Sequence, residues 1–155
     1  MSYDIQRQSR ARASLLLKQI PLGSSVLDFG THKGAIAAHL AHQGRFVTAV
    51  APGLKPIYGA ETIPKKLTPD VIRLLGDFDY VLALSVLHHC TPWRDYYEAL
   101  WGVAKVGLFV ETPRPDEEVP QQDGLAEHFA RYEVIGTFPG KRAGHTRDIV
   151  YVPCG

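Results

Sequence analysis

The features that mark a secreted or membrane protein are scarce in this sequence. Cysteine occurs only twice in 155 residues, at Cys90 and Cys154, which is too few for the disulfide framework of a small secreted domain. No run approaches the roughly 18 consecutive apolar residues that span a bilayer. The start of the chain is polar and carries Asp4, unlike a signal peptide. We therefore expect a soluble, cytoplasmic protein without a membrane partner.

An excess of charge of one sign is also missing. The chain has 17 Lys and Arg residues against 16 Asp and Glu, a formal net charge of +1, so bulk attraction to nucleic acid is not predicted. Basic residues do crowd the N-terminal segment, but a solvated helix face explains them better than RNA binding. These residues are Arg7, Arg10, Arg12 and Lys18. A nucleic-acid partner stays possible but unsupported.

What the sequence does contain is an alternation of apolar strand-like runs and helical patterns. Helices are predicted over 4–20, 35–43, 68–76, from 91–92 through Ala104, and around 125–130. Strands are predicted over 25–30, 45–50, near 56–63, and over 79–85, 107–112, 132–138 and 147–152. The turn between the last two strands is too short for a crossover helix, so they should pair antiparallel. We expect one α/β domain over 1–155: an N-terminal helix within 1–22, then a doubly wound, mostly parallel Rossmann-like sheet over 24–152.

The first strand–helix turn reads Asp28-Phe29-Gly30-Thr31-His32-Lys33-Gly34. In such sheets ligands bind beyond the carboxyl ends of the strands. Gly30 permits a tight turn, and Gly34 lets the helix start pack close to a ligand. Two glycines at this spacing are a weak signal by themselves. A nucleotide-type cofactor site and an ordinary glycine turn both remain open from these residues.

Titratable residues follow the predicted fourth and fifth strands. His88 and His89 fall at the expected mouth of the pocket, where an imidazole can take a proton near neutral pH, although a packing role is an equal alternative. Adjacent residues of an extended chain point to opposite sides, so His88, His89 and Cys90 are not expected to chelate one metal ion. Glu111 is open between a pocket group and a surface acid. We predict no metal site.

Three segments together resemble the class I S-adenosylmethionine-dependent methyltransferases. Val26-Leu27-Asp28-Phe29-Gly30 with Gly34 resembles the first motif of that family, in which an acid ends strand one. The segments 79–89 and 106–113 resemble its fourth- and fifth-strand motifs. They occur in the family's order, and the closing antiparallel pair matches its sheet. The resemblance implies a small enzyme that transfers a methyl group from S-adenosylmethionine to an oxygen or nitrogen.

The resemblance also implies a set of cofactor-binding residues. Asp28 and the backbone around Gly30 and Thr31 would face the methionine part of the cofactor, beside Gly34. Leu84 and Ser85 would line the pocket below it. His32 replaces the middle glycine of the family's pattern, which requires its side chain to point outward.

One departure from the family lies at the end of strand two. The family has an acid there that binds the ribose hydroxyls, whereas this chain has Ala49-Val50-Ala51-Pro52. Glu61, from the next segment, is the candidate substitute. The same gap argues against a nicotinamide cofactor, whose fingerprint needs an acid about 20 residues beyond the glycines.

The resemblance does not name the methyl acceptor. A small molecule is favoured because the chain has no obvious inserted substrate domain, and a homo-oligomer is possible. Two alternatives stay open. The missing acid suggests a catalytically silent, methyltransferase-like binding or scaffold protein, and the same cofactor also serves chemistry other than methyl transfer.

Overall fold

A computed structural model describes residues 3–84, 86–87, 90–113, 132–139 and 146–154. Within these ranges the chain forms helices α1 (Tyr3–Gln19), α2 (Ala35–His42), α3 (Pro69–Arg73) and α4 (Trp93–Val103). The strands are β1 (Ser25–Phe29), β2 (Phe46–Val50), β3 (Glu61–Ile63), β4 (Phe78–Leu84), β5 (Ala104–Pro113), β6 (Glu133–Pro139) and β7 (Thr146–Pro153). None of the described helices is long and apolar enough to cross a bilayer.

All seven strands form one sheet in the order β3-β2-β1-β4-β5-β7-β6. The first five are parallel, and β7 pairs antiparallel with both β5 and β6. The predicted fold class is therefore confirmed, including the closing antiparallel pair. Strand order reverses between β1 and β4, and ligands of doubly wound sheets bind at such a reversal.

Two apolar cores cover the two faces of the sheet, because alternate residues of a strand point to opposite sides. On one side Leu16 of α1 and Ile20, which follows that helix, pack with Leu40 of α2 and with Phe109 of β5. On the other side the buried residues of α3 and α4 pack against Leu27 and its neighbours. The alternation sends Asp28 to the α1/α2 side, together with Val26.

Local sequence signals explain where α3 begins. The Thr68 hydroxyl accepts a hydrogen bond from the Val71 N–H at 3.4 Å, and Pro69 occupies the first helical position. This confirms the predicted start. The helix ends at Arg73, earlier than the predicted end near position 76.

The boundary between α4 and β5 differs from the predicted one. The spacing of apolar residues predicts that Ala104 is helical, but it has extended backbone angles (φ −91°, ψ 120°) and begins β5. No loop separates the two elements, so the apolar pattern runs from helix into strand without a break. The helix predicted around 125–130 lies outside the described residues.

Candidate cofactor site

The turn after β1 is fastened to the end of β2 by its backbone. The N–H groups of Gly30 and Thr31 both donate to the Val50 carbonyl oxygen, at 2.8 and 3.1 Å. The Gly34 N–H then donates to the Thr31 carbonyl at 3.0 Å and closes the turn. Backbone hydrogen bonds thus fix the conformation of this turn without a ligand.

Three residues of the turn have left-handed backbone conformations: Gly30 (φ 77°), His32 (φ 57°) and Gly34 (φ 84°). A side chain at either glycine would also overlap a neighbour, Val86 at Gly30 and Ile57 at Gly34. Glycine at position 34 is therefore required first by its left-handed backbone, and the contact with Ile57 adds to that requirement. His32 is exposed, as its position in the pattern requires.

Asp28 is buried inside this turn, with 2% of its surface exposed. Among the described residues, its Oδ2 atom and the Thr31 hydroxyl oxygen have no hydrogen-bond partner. Burial raises the pKa of Asp28 from 3.8 to about 6, and the nearby Thr31 side chain opposes part of that rise. Buried polar atoms are nearly always hydrogen-bonded in folded proteins. Asp28 Oδ2 and the Thr31 hydroxyl oxygen are exceptions to this rule, at the end of β1 and in the turn that follows it.

A cavity of about 280 Å³ lies next to the turn, at the carboxyl ends of β1, β2 and β4. The rings of Phe29 and Tyr96 form part of its wall, with their centroids 6.0 Å apart. Its walls are mainly apolar, with two lysines. The lining residues are Phe29, Gly30, Val50, Ala51, Pro52, Lys65, Lys66, Leu67, Val86, Cys90 and Tyr96. A mainly apolar cavity with a few polar groups suits a ligand such as a flat heterocycle.

Cys90 contributes a neutral thiol to this cavity. Its Sγ donates to the Val86 carbonyl oxygen at 3.4 Å, and burial raises its pKa to about 11, against the opposing effect of Lys66. A nucleophilic cysteine needs a lowered pKa. The structure therefore gives Cys90 a packing role.

Two other residues predicted to bind the cofactor, Leu84 and Glu61, lie in different parts of the sheet. Leu84 is half-buried at the carboxyl end of β4, next to Glu111 of β5 in the sheet register. Glu61 is exposed and pairs with Thr48, two positions before the carboxyl end of β2. It does not line the cavity. The ribose-binding role of Glu61 stays a prediction that this register does not favour.

Glu111 is not a surface acid, one of the two options open from sequence, and it does not line the cavity described above, so its role as a pocket group stays a prediction. It is 4% exposed, and its Oε1 accepts hydrogen bonds from Nε and Nη2 of Arg12 at 2.8 and 2.6 Å. The guanidinium of Arg12 also lies 4.7 Å from the centre of the Phe138 ring. The prediction that Arg12 belongs to a solvated helix face is wrong, since the residue is 9% exposed.

The remaining predicted site residues, Ser85, His88 and His89, lie outside the described residues, and their roles stay predictions. Within the part of the chain that the structure describes, no group of three or more His, Cys, Asp or Glu side chains is placed to hold a metal ion. The aromatic face of α4 packs in the core, as expected, with Tyr97 and Leu100 buried.

Comparison with known proteins adds to this geometry. The sequence matches no family model and no curated protein. Among solved structures, the bifunctional kinase-methyltransferase WbdD superposes with a TM-score of 0.69 at 20% identity, covering 97% of this chain and 39% of that one. The present chain thus spans about two-fifths of the length of WbdD.

Two further structures of this fold carry ligands. Magnesium protoporphyrin IX methyltransferase (ChlM) from Synechocystis PCC 6803, with bound S-adenosylmethionine, gives a TM-score of 0.65 at 17% identity, covering 97% of this chain and 79% of that one. The chain has the class I methyltransferase fold. The N-terminal domain of EvdMO1, with S-adenosylhomocysteine and D-fucose, gives 0.68 at 17% identity, covering 96% of this chain and 83% of that one.

Proposed function

We propose that this protein binds S-adenosylmethionine beside the β1–α2 turn and transfers its methyl group to an oxygen or nitrogen of a small molecule. The observation that carries the proposal is the apolar cavity at the carboxyl ends of three parallel strands, lined by Phe29 and Gly30 of the turn after β1. The same turn region holds the buried Asp28, whose Oδ2 has no hydrogen-bond partner among the described residues. Proteins of the same fold, ChlM and EvdMO1, have been solved with this cofactor or its product.

The residues of the site match the chemistry of that cofactor. The carboxylate of Asp28 would accept hydrogen bonds from the ammonium of the methionine part, and the Thr31 hydroxyl lies beside it. The aromatic and aliphatic walls of the cavity would hold the adenine. When bound, the cofactor supplies a methyl group that a nucleophile can attack. The protein's contribution is then to hold donor and acceptor in line, and proximity of this kind accounts for much of the catalysis.

Deprotonation of the acceptor is the proposed task of His88 or His89, in keeping with the general-base role predicted from sequence. The acceptor itself is not identified by the fold, because one fold serves many substrates. A small molecule remains the class that we propose.

A catalytically silent binding protein is the second candidate, and one observation favours it. Among the described lining residues of the cavity no carboxylate is available for the ribose, since the end of β2 carries Ala51 and Pro52. Titration calorimetry of the protein with S-adenosylmethionine and with S-adenosylhomocysteine tests the binding that the proposal requires, and no binding at millimolar ligand contradicts the proposal. Methyl transfer to an acceptor distinguishes the enzyme from a silent protein that binds the cofactor. Product analysis after incubation then separates methyl transfer from other chemistry of the cofactor.

A larger side chain at Cys90 tests whether the ligand binds in this cavity. Cys90→Leu adds bulk inside the cavity and is expected to weaken S-adenosylhomocysteine binding by about 10-fold or more, as a loss of roughly 1.4 kcal/mol would do. Cys154→Leu is the matched control, because Cys154 is also half-buried and also donates to a backbone carbonyl, at 3.7 Å, but lies outside the cavity. Equal affinities of the two folded variants would place the ligand elsewhere. Gly30 is a poor choice for this test, since its left-handed backbone and its contact with Val86 would make a substitution disturb the fold.

A further inference from the structure

Two lysines occupy the part of the cavity where the ribose acid would be expected. Lys65 and Lys66 come two and three residues after Ile63, the last residue of β3. This strand runs parallel to β2, with Ile63 opposite Val50. The Ala51 N–H donates to the Ile63 carbonyl at 3.2 Å, which joins the two strand ends. The chain that leaves β3 therefore passes beside the end of β2, and both lysines line the cavity there.

The charge of this wall is positive. Lys65 and Lys66 are the only charged side chains among the described lining residues, and both are exposed. Neither forms an ion pair with any residue that the structure describes. Lys66 lies close enough to Cys90, another lining residue, to oppose the rise in the pKa of its thiol. Its ammonium charge thus acts on the cavity that both residues line.

We propose that Lys65 and Lys66 bind the ribose of the adenosyl ligand in place of the absent acid. A carboxylate accepts hydrogen bonds from the two ribose hydroxyls, whereas an ammonium donates to their oxygens. The direction of the hydrogen bonds is therefore reversed: the lysine ammonium groups donate, and the ribose hydroxyl oxygens accept. This inference rests on the proposed function, because it assigns residues to the same ligand.

The reversed polarity also predicts a preference between ligands. S-adenosylmethionine carries a positive sulfonium that S-adenosylhomocysteine lacks, so a lysine wall disfavours the first relative to the second. The preference should diminish with added salt, because exposed charges are screened over about 8 Å at physiological ionic strength.

The test uses calorimetry with S-adenosylhomocysteine and with its analogue that lacks both ribose hydroxyls. The wild type is expected to bind the hydroxylated ligand about 10-fold more tightly, as expected for a charge-assisted hydrogen bond in an open site. The double substitution Lys65→Met and Lys66→Met should remove this difference. Lys55→Met is the matched control, since Lys55 is also exposed and follows β2, but does not line the cavity, and it should leave the difference unchanged.

A second variant restores the family's acid. Ala51→Asp, placed in the double methionine background, should recover the preference for the hydroxylated ligand, with affinity for S-adenosylmethionine now at least equal to that for S-adenosylhomocysteine. If the wild type binds S-adenosylhomocysteine and the double variant keeps the full 10-fold difference, the lysine assignment is overturned while the proposed function stands. If the wild type binds neither S-adenosyl ligand, the proposed function fails and this inference fails with it.

Discussion

Replacing Arg12 with methionine is expected to lower the free energy of unfolding by about 3–5 kcal/mol. The substitution removes the guanidinium that pairs at 2.6 Å with the carboxylate of Glu111, whose side chain is 3% exposed, and so takes a compensating charge away from a buried acid. Buried charges that lose their partner keep their desolvation cost and lose their attraction. The Arg12 contact with the Phe138 ring is lost as well.

Urea denaturation of wild type, Arg12→Met and Arg10→Met checks this expectation. Arg10 lies on the same helix and is exposed, so its substitution should change stability by no more than about 0.5 kcal/mol. The double variant Arg12→Met, Glu111→Leu replaces both charges by apolar groups and should regain most of the lost stability. A loss for Arg12→Met no greater than for Arg10→Met would show that the ion pair does not stabilise the fold.

The same ion pair shows where reasoning from local sequence ends. Arg12 and Glu111 are 99 positions apart, and no local pattern connects them. The net charge and the crowding of basic residues make Arg12 look like Arg10. One signal was present: Arg12 stands four and eight residues before Leu16 and Ile20, so it shares their buried helix face.

The architecture, by contrast, follows from short-range patterns. Apolar runs of strand length, such as the one in β4, alternate with helical periodicities, and this alternation permits few topologies other than a doubly wound sheet. The antiparallel ending follows from the short connection between β6 and β7. These features depend only on neighbours in sequence, so they could be predicted without knowledge of long-range contacts.

The candidate site was predicted in part, because a site depends on register as well as on motif. The turn that carries Asp28 and Gly30 was found from its glycines. The position of Glu61 before the end of β2, and that of Lys65 and Lys66 at its end, follow from the pairing of β2 with β3. A shift of a few residues in that short strand would exchange their places, and nothing in the local sequence determines it.

Replacing Asp28 with asparagine is expected to stabilise the ligand-free protein near pH 7.5 by up to about 3 kcal/mol. The folded protein raises the pKa of this carboxyl from 3.8 to about 6, so between these values the folded state binds more protons than the unfolded state. Stability linked to Asp28 is therefore fully present below pH 3.8 and is lost as the pH rises through about 6. Asparagine has the same shape and no charge, and so it avoids this loss.

The same substitution should weaken ligand binding, because it removes the carboxylate proposed to pair with the ammonium of the cofactor. Wild-type affinity for S-adenosylhomocysteine should rise as the pH increases through about 6, where Asp28 becomes ionised, and the asparagine variant should show no such rise. A protein that is more stable and binds less well is the result expected when a destabilising buried charge serves a ligand.

Urea denaturation of both proteins from pH 4 to pH 8 measures the first effect, and calorimetry over the same range measures the second. The decisive quantity is the difference in stability between variant and wild type, because the contributions of other titrating groups cancel in it. This difference should be near zero at pH 4 and grow until about pH 7.

Asp77→Asn is the matched control, because Asp77 is exposed, and its stability difference from the wild type should stay small at every pH. A difference for Asp28→Asn that is constant with pH would show that the carboxyl does not change its protonation on folding. If the stability difference grows with pH as expected but the ligand affinity of Asp28→Asn is unchanged, Asp28 does not contact the ligand.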